Sequence, residues 1–457
     1  MSARVRVAAR AARLAGAASR LSGRGGGTTM PGHVLLRLAP DALPELAAQL
    51  GDGIALVSAT NGKTTTAAML SAILEAERPV CRNVAGANLL SGVATSLVHR
   101  PAGARVGVLE VDEAALPSVA SALSPRVIAL GNLFRDQLDR HGELEMVADR
   151  WREMVRGLSE RTTLVLGADD PVIDALGAGR NAVIRYGIDD PAAGRAERDA
   201  AADSTHCVRC GAAYRYRAAY VGHLGDYACP AGDHVRGRLD FAAREVHGDG
   251  TAGTTFRLDT PNGTHAVRLP VPGLYNVENA LAAIATAYVL GVDPERAVAR
   301  LASFSAAFGR FERLVVDGRE AVLLLFKNPT GANEALRAIR ADLDESRVVL
   351  ALNDRIADGR DVSWIWDIDL EGALDGVAGV ICAGTRAADL AVRLRYADVD
   401  PGVIDVRSDP EAAFDDAVAE QKPGGRVYVL ATYTAMLDLH RALADRGLTR
   451  RFWEETT

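Results

Sequence analysis

The residues with the densest chemistry are Ser58-Ala59-Thr60-Asn61-Gly62-Lys63-Thr64-Thr65-Thr66. They lie between an apolar run at 54–57 and a stretch of helical periodicity that begins at Thr64. A loop at that junction offers backbone N–H groups and the positive end of a helix dipole to an anion. Lys63 can neutralise β- and γ-phosphates, and the Thr64 hydroxyl can ligate Mg²⁺. The general phosphate-loop pattern asks for glycine at 57, where this chain has Val57, so the match is confined to its second half. A chance Gly-Lys-Thr at a helix start is the bland alternative. The strand before and the helix after weigh against it.

Three further motifs sit where chemistry is done in such folds. Glu110-Val111-Asp112-Glu113 ends a second apolar run. A carboxylate at the carboxyl end of a parallel strand can hold a metal ion that bridges phosphates; otherwise it is an exposed acidic turn. Asp136-Gln137-Leu138-Asp139-Arg140-His141-Gly142 follows a third run. There His141 can ligate a divalent ion or touch phosphate, or be an ordinary surface or core histidine. Gly273-Leu274-Tyr275-Asn276-Val277-Glu278-Asn279 precedes an Ala-rich helix. Asn276 can cap that helix or hydrogen-bond a nucleotide base.

Two segments are of another kind. Cys207-Val208-Arg209-Cys210 is followed 19 residues later by Cys229. A Cys-x-x-Cys pair is half of a zinc ribbon. The second pair is incomplete, because Gly232 stands where its other cysteine belongs. His206, His223, Asp233 and His234 are the candidates for a fourth ligand, and a ribbon that has lost its metal is the alternative. The second segment is residues 353–367, Asn-Asp-Arg-Ile-Ala-Asp-Gly-Arg-Asp-Val-Ser-Trp-Ile-Trp-Asp. Tryptophans anchoring a solvated loop in the core would explain the Trp pair but not the spacing of Asp354, Asp358 and Asp361.

The elements that must position these residues follow from the apolar runs. Residues 54–57, 106–109, 127–130 and 163–166 read as buried strands, with helical segments between them, among them 145–156. That alternation predicts an α/β fold with a mostly parallel sheet covered on both faces. Residues 203–236 break the rhythm as an inserted Cys-rich module, and an Ala-rich helix runs from Asn276 to about Leu290. From about Phe308 a second α/β unit is expected, with strands at 321–326, 348–352, 377–382 and 427–430. The expected divisions are a basic helix and Gly-rich lead-in over 1–49, a central nucleotide-binding domain over 50–307, and a C-terminal α/β domain over 308–457.

The bulk properties exclude several classes. The chain has 457 residues, 48% hydrophobic and 24% charged, with a net charge of −7. It carries no general basic footprint for nucleic acid and no apolar stretch long enough to cross a bilayer. Five cysteines in a chain of this length argue against a disulfide framework and for a reducing cytoplasm. Residues 1–24 hold six arginines and no acid. Arg6, Arg10, Arg13, Arg20 and Arg24 fall on one helical face, with Val7, Leu14 and Leu21 beside it. Three readings stand: a transit peptide, a basic amphipathic helix touching anionic lipid, or a solvated helix packed on the body.

The ordered set resembles the Mur ligase superfamily. It comprises the Thr60–Thr65 loop, Asp139 with His141-Gly142, Ala168-Asp169-Asp170-Pro171, Asn276 with Asn279, and Gly309-Arg310-Phe311-Glu312. The resemblance covers about residues 50–315. It implies ATP-dependent activation of a carboxylate as an acyl phosphate, which an amine then attacks. It implies ATP at Thr60, Asn61, Gly62, Lys63, Thr64 and Thr65, with Asn276 near the adenine and Arg310 also on the nucleotide. It implies Mg²⁺ at Thr64, Glu110 and His141. The family commonly carries glycine where this chain has Ala59, a departure that bears on nucleotide affinity.

The Cys insert, the 353–367 loop and the basic first helix together resemble one branch, the MurT family of ligase-like subunits of lipid II isoglutaminyl synthases. That resemblance covers essentially the whole chain. It implies amidation of the D-glutamate α-carboxyl in the lipid II stem peptide, with ammonia from a separate GatD-type glutaminase. It also implies that one aspartate of the loop completes the partner's Cys-His site, Asp358 first, then Asp354 and Asp361. Zn²⁺ on Cys207, Cys210 and Cys229 is the expected second metal. The alternative is an amino-acid-adding or polyglutamate ligase with no glutaminase partner; a nucleotide-dependent scaffold without chemistry is the third reading.

Overall fold

A computed structural model describes residues 1–21, 28–83, 86–136, 144–199, 202–304 and 310–449, with only the backbone of 20, 21 and 310. Two large sheets organise the chain. The first has nine strands in the order β11-β10-β9-β6-β5-β4-β1-β3-β2. Its parallel part is β1 (Gly53–Ser58), β2 (Val80–Arg82), β3 (Val106–Glu110), β4 (Val127–Leu130), β5 (Thr163–Gly167), β6 (Val183–Ile188) and β9 (Phe241–Gly248). β10 (Thr254–Thr260) and β11 (Gly263–Leu269) add an antiparallel edge.

Successive side chains of a strand face opposite sides, and β1 shows why its run is continuously apolar. Ala55 and Val57 pack with Met69, Leu70 and Ile73 of the helix Lys63–Glu75 and with the helix Leu274–Val289. Ile54 and Leu56 pack on the other face with Leu35, Leu43, Leu97, Val119 and Trp151 from five other helices. Both faces are therefore covered, as the sequence pattern predicts.

The second sheet has six strands, β12 (Arg310–Val316), β13 (Arg319–Leu325), β17 (Arg426–Ala431), β14 (Arg347–Ala351), β15 (Gly379–Ala383) and β16 (Ile404–Val406), in that spatial order. It is parallel except for the β12–β13 hairpin. Val348 and Leu350 face one core and Val349 and Ala351 the other. The Cys-rich insert carries its own hairpin, β7 (Arg215–Val221) with β8 (Leu224–Ala228). No helix among the described residues is long and apolar enough to cross a membrane.

Candidate active site

The loops after β1, β3, β4 and β5 converge at the carboxyl edge of the first sheet, where parallel α/β folds bind ligands. Gly62 takes φ +87 at the N-terminus of the helix Lys63–Glu75, a left-handed conformation that favours glycine. A Cβ there would also stand 2.0 Å from Asn279 Oδ1. Glycine is thus required twice over, by backbone angle and by the close approach of the helix Leu274–Val289. The loop is held from both sides. The Asn61 N–H donates to Asn132 Oδ1 at 2.9 Å, and Asn132 Nδ2 returns a bond to Asn61 O. Thr60 Oγ1 accepts from the Phe134 N–H at 3.0 Å. Thr66 Oγ1 donates to Asn279 Oδ1 at 3.2 Å, and Asn279 Nδ2 donates to Asn276 Oδ1.

Lys63 is buried. Its ammonium donates to Ala59 O at 2.6 Å and Thr60 O at 3.3 Å, and it pairs with Glu113 Oε2 at 2.9 Å. Burial pushes the Glu113 carboxyl up, but the charges of Lys63 and Lys327 and the Lys63 hydrogen bond outweigh it and leave it below the ordinary glutamate value. Trp151 Nε1 donates to Glu113 O at 2.9 Å and fixes the turn. Glu110 ends β3, buried, opposite Val57 of β1. Asn83 holds its backbone at both N–H and C=O, each at 2.9 Å. Thr64, at the head of the helix, is half-buried. Lysine, threonine, glutamates and helix dipole so arranged can bind a polyphosphate and a divalent cation.

The second sheet contributes to the same edge. Asn328 and Asn61 exchange side-chain amide hydrogen bonds at 3.0 and 3.3 Å. Asn328 also caps the helix Pro329–Ile339 through Gly331 N–H at 2.8 Å. Its neighbour Lys327 pairs with Asp136. Tyr433, at the start of the helix Tyr433–Asp445, lies close enough to Gly86 that a Cβ there would be 3.4 Å from its hydroxyl. Burial raises the Tyr433 phenol, and the charges of Glu110 and Asp358 raise it further.

Not every expected residue is placed in this way. His141 and the Arg310 side chain lie outside the described residues. Asn276 is buried but does not cap its helix. Gly273 holds the cap position, and Asn276 Nδ2 donates to Pro272 O at 2.7 Å. Glu312, two residues after Arg310, follows a bulge at Phe311, whose φ is +62. It accepts from His440 Nε2 at 3.1 Å and from Thr449 Oγ1 at 2.8 Å. The Ala168–Pro171 motif is a brace. Asp170 caps the helix Pro171–Ala175 and also accepts from the Leu133 N–H and from His223. Asp169 accepts from the Ile188 N–H and from Arg236.

The three aspartates of the 353–367 loop differ in setting. Asp358 is buried, accepting from the Thr434 N–H at 2.7 Å and from the Thr434 hydroxyl. Burial raises its carboxyl despite those bonds. Asp354 is part-exposed, bonded by Thr385 Oγ1 at 2.9 Å and near Arg386. Asp361 is exposed and held below the ordinary aspartate value by the Ser363 N–H. Trp364 packs on Phe326, while Trp366 is 49% exposed against Tyr396. Only the first of the two fits the anchor role.

In the insert, the sulfurs of Cys207, Cys210 and Cys229 all lie within 4.8 Å of one another, with Cys210 and Cys229 at 3.4 Å. Burial works against the Cys207 thiolate, yet the N–H groups of Cys210 and Arg209 hold its thiol down at about 7. No fourth histidine or carboxylate joins the group among the described residues. His234 is engaged with Tyr214 at 2.7 Å, His223 with Asp170, and His206 with Thr205. Asp233 alone of the four candidates reaches the Cys210 thiol.

Sequence reasoning missed the Lys63–Glu113 pair, the Asn61–Asn328 pair and Tyr433. Asn-Pro after an apolar run, at 328–329, was the available signal for the second.

Comparison with known proteins fits this geometry. The Mur ligase middle domain model matches residues 57–223, and the MurT ligase C-terminal model matches residues 325–436. The MurT subunit of lipid II isoglutaminyl synthase (glutamine-hydrolyzing) from Streptococcus pneumoniae is 32% identical over 94% of this chain and 95% of its own length. The Staphylococcus aureus N315 subunit is 31% identical over 86% and 88%. A pseudomurein peptide ligase type C from Methanothermus fervidus superposes with a TM-score of 0.68 at 21% identity, covering 88% of this chain and 80% of that one. MurF from Thermotoga maritima, solved in complex with ADP, gives a TM-score of 0.62 at 17% identity, covering 91% and 85%. The chain belongs to the MurT family of Mur ligases, the ligase subunits of lipid II isoglutaminyl synthase.

Proposed function

We propose that this chain binds ATP on the loop before Lys63 and uses it to make a stem-peptide carboxylate reactive. The α-carboxyl of D-glutamate in lipid II attacks the γ-phosphorus and ADP leaves. Ammonia then displaces phosphate from the acyl phosphate, giving D-isoglutamine. A carboxylate alone is a poor acyl donor, because its leaving group would be oxide; phosphorylation supplies a better one. Mg²⁺, when bound at Thr64 and Glu110, supplies charge neutralisation on the phosphates. Lys63 holds the β- and γ-phosphates, and the helix N-terminus offers N–H groups to their oxygens. The observation that carries this reading is the buried ammonium of Lys63, paired with Glu113, at a glycine-started helix.

The names of the relatives, each one subunit of a glutamine-hydrolysing synthase, support a separate glutaminase of the GatD type as the ammonia source. An aspartate of the 353–367 loop, Asp358 first, is read as orienting that partner's histidine, as carboxylates do in other triads. Residues 50–307 are read as the nucleotide domain and 308–457 as the domain that meets the partner. The work is done at the cytoplasmic face of the membrane, where the lipid-linked substrate is presented. The Cys trio fits zinc through three thiolates, one already stabilised by N–H groups, with Asp233 or water as the fourth ligand. Zinc there would staple the insert and take no part in the transfer.

The test mixes the chain with a GatD-type glutaminase, glutamine, ATP and lipid II. Product carries the mass loss of a hydroxyl replaced by an amino group. Lys63→Ala is expected to make none. Product from free amino acids instead of ammonia would favour an amino-acid-adding ligase.

A further inference from the structure

The first helix, Ala3–Leu21, has two unlike faces. Val5, Ala8, Ala9 and Ala12 are buried in a core shared with the helices Met30–Leu38 and Leu90–Val98. This much fits a helix packed on the body. The opposite face is not the polar surface that such packing leaves. Val7 and Leu14, seven residues apart and so on one ridge, are 66% and 72% exposed.

Arginines frame that ridge. Arg6, Arg10 and Arg13 run along one side and Arg4 lies on the other. Arg4 donates to Leu38 O and Arg13 to Val98 O, at the ends of the two supporting helices. Those bonds use two guanidinium nitrogens of each and leave the charge unneutralised. The helix contains no acid in its first turn or elsewhere. None of the four arginines forms a salt bridge with a carboxylate among the described residues. Glu45 feels the charge of Arg6, but its carboxylate is taken by the N–H and hydroxyl of Ser2. His33 and Arg37, on the adjoining helix, are exposed as well.

Isolated exposed apolar residues are ordinary. Two on the outermost ridge, inside an unneutralised basic frame on a chain of net charge −7, are a different arrangement. Helices that lie in a membrane interface combine these features: apolar side chains reaching the acyl boundary, and arginines among lipid phosphates. We propose that this face seats the protein on an anionic bilayer surface. Val7 and Leu14 enter at headgroup depth, and Arg6 and Arg10 contact lipid phosphates. The inference goes beyond the ligase reading and does not need it, though a lipid-linked substrate gives such seating a purpose.

The test is sedimentation of the full chain with vesicles of equal parts phosphatidylglycerol and phosphatidylcholine, lacking any peptide-bearing lipid and without ATP. Binding to these vesicles, with little to pure phosphatidylcholine and loss at high salt, is the expected result. At about fivefold per basic residue near an anionic surface, Arg6→Glu with Arg10→Glu should weaken binding by roughly 25-fold or more. Val7→Ser with Leu14→Ser should weaken it while leaving the salt dependence. Thermal melting checks that each variant folds, and Arg6→Gln with Arg10→Gln replaces the reversal if it does not. Equal binding to both vesicle types, or variants that bind like the parent, overturns the proposal. So does an RNA oligonucleotide that binds this face and competes the vesicles away. Because neither nucleotide nor stem peptide is present, failure here leaves the ligase reading untouched, and loss of amidation elsewhere leaves this one.

Discussion

Lys63 Nζ lies 2.9 Å from Glu113 Oε2, with both side chains buried. Without a phosphate in the loop, Glu113 is the anion that balances the lysine. Removing one member of a buried pair strands the other charge, at a cost of about 3–5 kcal/mol. Lys63→Met and Glu113→Gln are therefore each expected to lower the melting temperature of the nucleotide-free protein. The double variant should recover part of the loss. Strictly additive losses in the thermal cycle would show that the two residues are not coupled.

The brace behind the site predicts a pH effect. Burial raises both Glu278 and Asp169 above ordinary carboxyl values. The neighbouring charge and a shared hydrogen bond raise Glu278 further, against Arg236. A carboxyl raised on folding gives its stabilisation below the unfolded value and loses it as pH climbs through the folded value. Glu278→Gln keeps the neutral donor at every pH. Its melting temperature relative to the parent is expected to rise as the pH climbs above the ordinary glutamate value. A difference that stays constant as the pH climbs would mean that Glu278 is not protonated in the fold.

Asp358 separates two roles. Its carboxylate joins the loop after β14 to Thr434 on the helix Tyr433–Asp445. If it also orients a partner's histidine, Asp358→Asn should lose glutamine-driven amidation and keep activity with free ammonia. A purely structural tie would lower both nitrogen sources together, along with the melting temperature. Asp354→Asn and Asp361→Asn, at more exposed positions, are the parallel tests if Asp358→Asn spares glutamine use.

Much of this arrangement is legible in the amino-acid order, for physical reasons. Strands buried on both faces, such as those holding 106–109 and 348–351, are continuous apolar runs and stand out. Gly62 and Lys63 declare a helix start that binds anions. The antiparallel edge is different: β10 alternates Phe256, Leu258 with Arg257, Asp259, and such half-solvated strands resemble loops unless the period is counted. The long-range pairs are the hardest. Nothing local tells which of Glu110 and Glu113 turns toward Lys63, and Asn61 meets Asn328 across 267 residues. The loop of three aspartates reads as solvated, yet Asp358 is buried because a threonine 76 residues later supplies two donors.

Position 232 offers a gain-of-function test of the Cys trio. Gly232 follows Cys229 by three residues, where a second Cys-x-x-Cys pair would close, and its N–H donates to Cys229 O at 2.9 Å. A Cβ added there meets nothing within 4 Å, so space is no obstacle. Its φ of +78 is one, costing a non-glycine residue about 1–2 kcal/mol. A fourth thiolate should outweigh that in the metal-bound protein, since tetrahedral four-sulfur sites suit zinc. Gly232→Cys is expected to retain zinc through dialysis against a chelator that strips the parent, and to melt higher with metal but lower without it. Cys229→Ser should lose zinc altogether. If the parent carries no zinc and Gly232→Cys acquires none, the trio is a ribbon without its metal.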